Sequence, residues 1–142
     1  MKLNSKFILV IALVSVMITG LSGCAAGKAG LSDQQVASVT ENILKAIDAN
    51  NYQAFTHDFS AQMKSAFPQE KFTQLRTLLQ STSGTFNYMD VPSLSNNQGY
   101  AVYRFPTKYA DEAVTVTITF VIGGQEVEGL FFDSVALRKV SQ

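Results

Sequence analysis

The sequence predicts an α+β domain, with helices first and an antiparallel sheet after them. Between Ser32 and Leu79 apolar residues recur at three- and four-residue steps, the period of a helix with one buried face. Beyond Thr85 the period falls to two, most clearly where Val114, Val116, Ile118 and Phe120 alternate with Thr115, Thr117 and Thr119. Cys24 is the only cysteine, so no intrachain disulfide can form and packing alone must hold the fold. Together these features predict three N-terminal helices packed on one face of a curved antiparallel sheet of about four strands, a cone-like form.

The chain opens with a leader. Lys2 and Lys6 make a short positive region, and Phe7 to Ile18 is an apolar run of about a dozen residues, signal-peptide length rather than the roughly 20 needed to span a bilayer. It ends in Leu21-Ser22-Gly23-Cys24, the pattern of a lipobox. Small residues at Ser22 and Gly23 leave room for a peptidase on extended backbone, and the Cys24 thiol would take a diacylglycerol. The competing reading is an ordinary signal peptide with an incidental cysteine. On the lipobox reading residues 1–23 are removed and the mature protein is held by its acyl chains on the extracytoplasmic face of a bacterial membrane. Residues 24–30 form a small-residue tether, and residues 31–142 a single domain.

Leu31-Ser32-Asp33-Gln34-Gln35-Val36 reads as a helix start: Ser32 caps, Gln35 closes a capping box, and Leu31 and Val36 occupy the staple positions. Val36, Val39, Ile43, Leu44 and Ile47 continue the buried face to Asn50-Asn51, where asparagine tolerates a left-handed cap. Tyr52, Phe55, Phe59, Met63 and Phe67 form an aromatic stripe on a second helical stretch, with Ser60 a candidate break. Pro68 suits the first turn of a third helix carrying Phe72, Leu75, Leu78 and Leu79, capped by Gly84. Thr85 to Val91 reads as a strand. Pro92 and Ser95 to Gly99 read as a turn, and Tyr100 to Phe105 as a strand ended by Pro106. Ala101, Tyr103 and Phe105 share one face of it. After the 114–120 strand, Gly123-Gly124 makes a hairpin turn, Val127 to Phe132 returns, and Val135 to Val140 extends that strand.

Composition narrows the function classes. Without the leader and its two lysines, nine basic side chains stand against eleven acidic ones, scattered, with no basic patch for nucleic acid. One histidine and one lipidated cysteine supply neither a His-rich metal site nor a Cys–His pair, so no cofactor or metal is expected and no catalytic residue is assigned. His57 lies off the aromatic stripe, beside Asp58, and reads as a solvated pair. Asp111, Glu112, Glu126 and Glu128 read as solvated carboxylates at turns. Tyr52, Phe55, Phe59, Tyr88, Tyr103 and Phe105 are candidates to line a concave pocket, with core filling as the alternative.

Helices followed by a curved sheet resemble the cystatin-like or nuclear-transport-factor-2-like cone. More narrowly, Ala46-Ile47-Asp48-Ala49-Asn50-Asn51-Tyr52-Gln53-Ala54-Phe55, then Phe59-Ser60-Ala61-Gln62-Met63, then Gly129-Leu130-Phe131-Phe132 resemble a bacterial and archaeal family, domain of unknown function 3887. The resemblance runs from about Ser32 to Asp133. Its matching residues are packing residues, so it implies a fold and transfers no catalytic group.

Two functional readings follow. One is a membrane-anchored lipoprotein with a small ligand-binding or protein-interaction domain. The other is an enzyme, an isomerase or hydrolase of a small apolar substrate, using a buried Asp or Tyr. An ionisable group at the floor of a cavity would favour the enzyme. The threonine-rich sheet face also suggests a weak homodimer, against a monomer whose threonines merely suit strand propensity.

Overall fold

The computed structural model describes residues 26–140. Leu21, Ser22, Gly23 and Cys24, expected to form a lipobox, lie outside the described residues, as does the rest of the expected leader.

Helix α1 (Asp33–Asp48) starts on the expected capping box. Ser32 Oγ accepts from the Gln35 N–H at 3.2 Å, and Gln35 Oε1 accepts from the Ser32 N–H at 2.9 Å. Val36, Ile43, Leu44 and Ile47 form its buried face. At its end Asn50 adopts φ 53°, its N–H donates to Ile47 O at 3.1 Å, and the Asn51 N–H donates to Ala46 O at 2.9 Å. This paired arrangement satisfies two carbonyls that the helix itself leaves free. Asn51 then caps α2 (Tyr52–Phe55), its side chain accepting from the Ala54 N–H at 3.0 Å.

The aromatic stripe divides at Ser60 into α2 and α3 (Ala61–Ala66), so with α4 (Gln69–Thr82) four helical segments among the described residues precede the sheet instead of three. The cause is tertiary. Between the two segments the backbone pairs with the start of the last strand: Val127 N–H donates to Asp58 O at 2.8 Å and Ser60 N–H to Val127 O at 3.0 Å. Ser60 Oγ then caps α3 through the Met63 N–H at 3.1 Å. The stripe still faces inward. The Phe55 ring lies 4.9 Å from Phe59, 5.3 Å from Phe67 and 4.8 Å from Phe72, and Tyr52 lies 5.6 Å from Phe72. Helix α4 ends as expected, with Gly84 at φ 80° and its N–H donating to Leu79 O at 3.0 Å.

Five strands form one unclosed antiparallel sheet: β1 (Phe86–Met89), β2 (Ser93–Asn97), β3 (Tyr100–Tyr109), β4 (Ala113–Val121) and β5 (Val127–Asp133). Strands β1 and β2 both pair with β3, as two halves of one interrupted edge; β4 and then β5 continue on the other side. Three expectations are corrected here. Ser95 to Asn97 belong to a strand, because their register opposite Tyr100, Ala101 and Val102 supplies the pairing that their polar side chains do not advertise; only Gln98-Gly99, both at positive φ, make the turn. Pro106 does not end β3. Its carbonyl accepts from the Asp90 N–H at 2.8 Å. The N and O of one strand residue point the same way, so the missing proline donor faces the gap between β1 and β2. Val135 to Val140 is a helix, α5, not a strand extension.

The reason for α5 lies 22 residues back. Ser134 Oγ accepts from the Leu137 N–H at 3.1 Å and itself donates to Glu112 Oε1 at 2.7 Å. Glu112 also accepts from Ser83 Oγ at 2.6 Å and from the Ala136 N–H at 3.3 Å. One carboxylate on the β3–β4 turn therefore joins the end of α4 to the start of α5. Burial pushes this carboxyl up, but the bonds from Ser83, Ser134 and Ala136, with Lys108 nearby, outweigh it and hold Glu112 below its ordinary value. It is half-buried and bonded, not a freely solvated turn carboxylate.

The opposite end of the sheet is closed differently. Residues 27–30, expected to be tether, lie along the fold. Gly123 N–H donates to Lys28 O at 2.9 Å, Gly30 N–H to Gly124 O at 2.6 Å, and Asn96 Nδ2 to Gly27 O at 2.7 Å. Ala29 is buried and its N–H donates to Tyr103 Oη at 3.2 Å. A methyl at Gly30 would come within 2.4 Å of the Gly123 carbonyl oxygen, so only glycine permits this approach.

The core lies between the helices and one face of the sheet. Ala101, Tyr103 and Phe105 of β3 and Val114, Val116, Ile118 and Phe120 of β4 turn into it, as the alternation predicts, and Thr107 and Tyr109 join them because β3 runs on past Pro106. Thr115, Thr117 and Thr119 take the outer face.

Candidate functional site

The interruption between β1 and β2 opens a groove. Asp90 is still bonded to β3, but Val91 and Pro92 carry the chain across to β2 opposite the first turns of α1. Two adjoining hollows of about 260 and 290 Å³ result, sharing Asp33, Val91 and Pro92. The first reaches Lys28, Leu94 and Tyr103; the second reaches Ala37, Met89 and Phe105. The lining is mostly apolar, and each volume is close to the lower end of the range for small-molecule sites. Lys28 and Asp33 stand at the rim as an ion pair, Nζ to Oδ2 2.9 Å, and the hydrogen bond to Asp33, then its charge, raises the Lys28 pKa. The pair therefore adds local polarity without net charge.

Of the six residues expected to line a pocket, the structure brings Tyr103 and Phe105 to this groove. Both are buried and stand at its floor. Tyr52, Phe55 and Phe59 belong to the aromatic cluster under the helices, where Tyr52 Oη donates to Phe67 O at 2.9 Å. Tyr88 pairs with Lys108 on the outer face and is 57% exposed. Val91, Pro92 and Leu94, which also line the groove, escape the alternation analysis because they lie at or beside the break between β1 and β2. Pro92 beside an apolar residue is the signal that marks such an edge.

Elsewhere a larger hollow of about 360 Å³ lies between α1 and α2, bounded by Asn42, Lys45, Asn51, His57 and Asp58 among others. His57 Nδ1 lies 2.8 Å from Asp58 Oδ1, and the imidazole is largely exposed, as its position off the stripe implies. No group of three or more histidine, cysteine or acidic residues among those described is placed to hold a metal ion. Tyr109 has a buried hydroxyl without a hydrogen-bond partner among the described residues; burial, then the nearby Asp48 charge, pushes its pKa up. It points into core and lines neither hollow of the groove.

The family model described as "Protein of unknown function (DUF3887)" matches residues 40–129. The chain belongs to this family. The match runs from within α1 to within β5, so it takes in the aromatic cluster, the broken edge and the groove wall from Val91 to Phe105. Residues 27–30 and α5, which close the two ends of the sheet, flank the DUF3887 match. No curated protein and no solved structure matches the chain.

Proposed function

We propose that the protein is an extracytoplasmic lipoprotein, acylated at Cys24, whose DUF3887 domain is a cystatin-like cone that binds a small apolar ligand. The observation that carries the ligand reading is the apolar groove beside the broken edge strand, floored by Tyr103 and Phe105. Binding is preferred to catalysis because the lining is mostly apolar, and its charged groups are the Lys28–Asp33 ion pair and Asp90. The anchor reading rests on Leu21-Ser22-Gly23-Cys24 after a short apolar run. Metabolic labelling with a fatty acid tests it: label should enter the wild type, and label retained by Cys24→Ala would refute it.

For the groove, N-phenylnaphthylamine, an uncharged apolar fluorophore, serves as the probe. Saturable enhancement is expected with the wild type, together with its loss in a folded Leu94→Glu variant. Equal enhancement in both chains would overturn the assignment.

The outer sheet face supports a second reading, a weak homodimer. Phe131, opposite Thr117, and Tyr88 are exposed on the same face as the threonine row. Sedimentation of the wild type and Thr117→Lys tests it, and a wild type that stays monomeric at high micromolar concentration rules out such pairing in solution.

A further inference from the structure

We propose that the end of the sheet where residues 27–30 dock is a membrane-contact surface, seated on the lipid head groups with Tyr100, Val121 and Ile122 turned toward the bilayer. The inference rests on the acylation of Cys24 proposed above.

From Gly27 onward the chain is fixed to the fold: Gly123 N–H and Asn96 Nδ2 donate to it, and Gly124 O accepts from Gly30 N–H. Cys24 lies only three residues earlier. Fully extended at 3.3–3.6 Å per residue, that distance is about 11 Å. Acyl chains on Cys24 therefore hold this end of the domain against the lipid surface.

Tyr100 is 40% exposed, Val121 43% and Ile122 41%. They are neighbours: Tyr100 pairs with Val121, and the Ile122 N–H donates to Gly99 O at 3.0 Å. The docked segment passes beside Ile122, since a methyl at Gly27 would come within 2.8 Å of Ile122 Cδ1. A tyrosine flanked by aliphatic side chains suits the interface between head groups and acyl chains.

No acidic or basic residue occurs from Leu94 to Tyr103 or from Ala113 to Gln125, and the exposed carboxylate that follows, Glu126, lies on the return toward β5 beside His57 and Asp58. Carboxylates here would be repelled by anionic head groups and costly to bring near acyl chains. The charge that the docked segment brings, Lys28, is positive and paired with Asp33. The other end of the sheet has the opposite character, with Lys108, Asp111 and Glu112 around its turn.

The protein has no tryptophan, so a single introduced one reports its own position. Val121→Trp and Ala113→Trp place it at the two ends of β4, on the same face, eight residues and about 27 Å apart. Each mature chain, residues 24–142, is coupled through Cys24 to a maleimide lipid in phosphatidylglycerol–phosphatidylethanolamine vesicles. This attachment does not depend on cellular acylation, so failure of the anchor reading appears in the labelling experiment and failure of the contact surface appears here. With brominated lipid, indole emission from the Val121→Trp chain should shift to the blue and be quenched at least twofold, while emission from the Ala113→Trp chain stays unchanged. Adding Ile122→Asp to the Val121→Trp chain should reduce the quenching with the circular dichroism spectrum preserved. No quenching at position 121, or equal quenching at both positions, would overturn the proposal.

Discussion

The two ends of the sheet are closed by different chemistry. At the β3–β4 end a single carboxylate, Glu112, gathers two hydroxyls and a backbone N–H from α4 and α5. At the other end residues 27–30 are held mainly through backbone atoms, and glycines provide the close approach. The first closure depends on charge and therefore on pH. The second depends on shape, carries little charge, and leaves apolar side chains outside. The difference teaches how one small domain can close its two ends by unlike chemistry, carboxylate at one and backbone at the other, while sharing a single core.

The largest effect should come from the region between the ends. Phe59 is buried against Phe55, and the strand pairing around Val127 passes through it. Phe59→Ala should lower stability by about 3–5 kcal/mol, and both ends should unfold together. Chemical denaturation followed separately by signals from each end checks this. Two separate transitions would show that the ends are independent units.

Glu112→Ala should come next, at about 1–3 kcal/mol, since it strips partners from Ser83, Ser134 and the Ala136 N–H. The pH dependence has a definite sign. A carboxyl held below its ordinary value stabilises the fold fully above the unfolded-state pKa, and that contribution is lost as pH falls through the folded-state value. Acid titration of the wild type should therefore loosen α5 early, and Glu112→Gln should flatten that part of the curve. Parallel acid curves for the two chains would remove Glu112 from the account.

The smallest effect on global stability is expected from Gly30→Ala. The added methyl meets the Gly123 carbonyl oxygen, and backbone cannot yield as a side chain can. Residues 27–30 should lift away at about 1–2 kcal/mol, the worth of one or two hydrogen bonds. Amide exchange of Gly123 should accelerate at least tenfold while exchange in β4 stays slow. Unchanged protection at Gly123 would mean that the segment is not held as described.

Much of this fold was legible in the residues themselves. The capping box of α1, the left-handed Asn50 and Gly84, the buried stripe from Tyr52 to Phe67 and the alternation of β4 all express interactions within about four residues, or a period that needs only a core to face. Of the groove, Tyr103 and Phe105 were legible from their place on an inward face, whereas Val91, Pro92 and Leu94 were not, since a hollow exists only where two distant elements diverge. Tertiary structure alone decided the rest. Ser95 to Asn97 form a strand because β3 offers an edge, and Pro106 is accommodated because that edge has a gap. Val135 to Val140 form a helix with Glu112 bonded at its start, and residues 27–30 are fixed by a turn more than 90 residues away in sequence. Short-range signals are carried by side-chain type. These longer bonds are made largely by backbone atoms or by a carboxylate whose partners lie tens of residues away, and no pattern of residue types encodes which of them will meet.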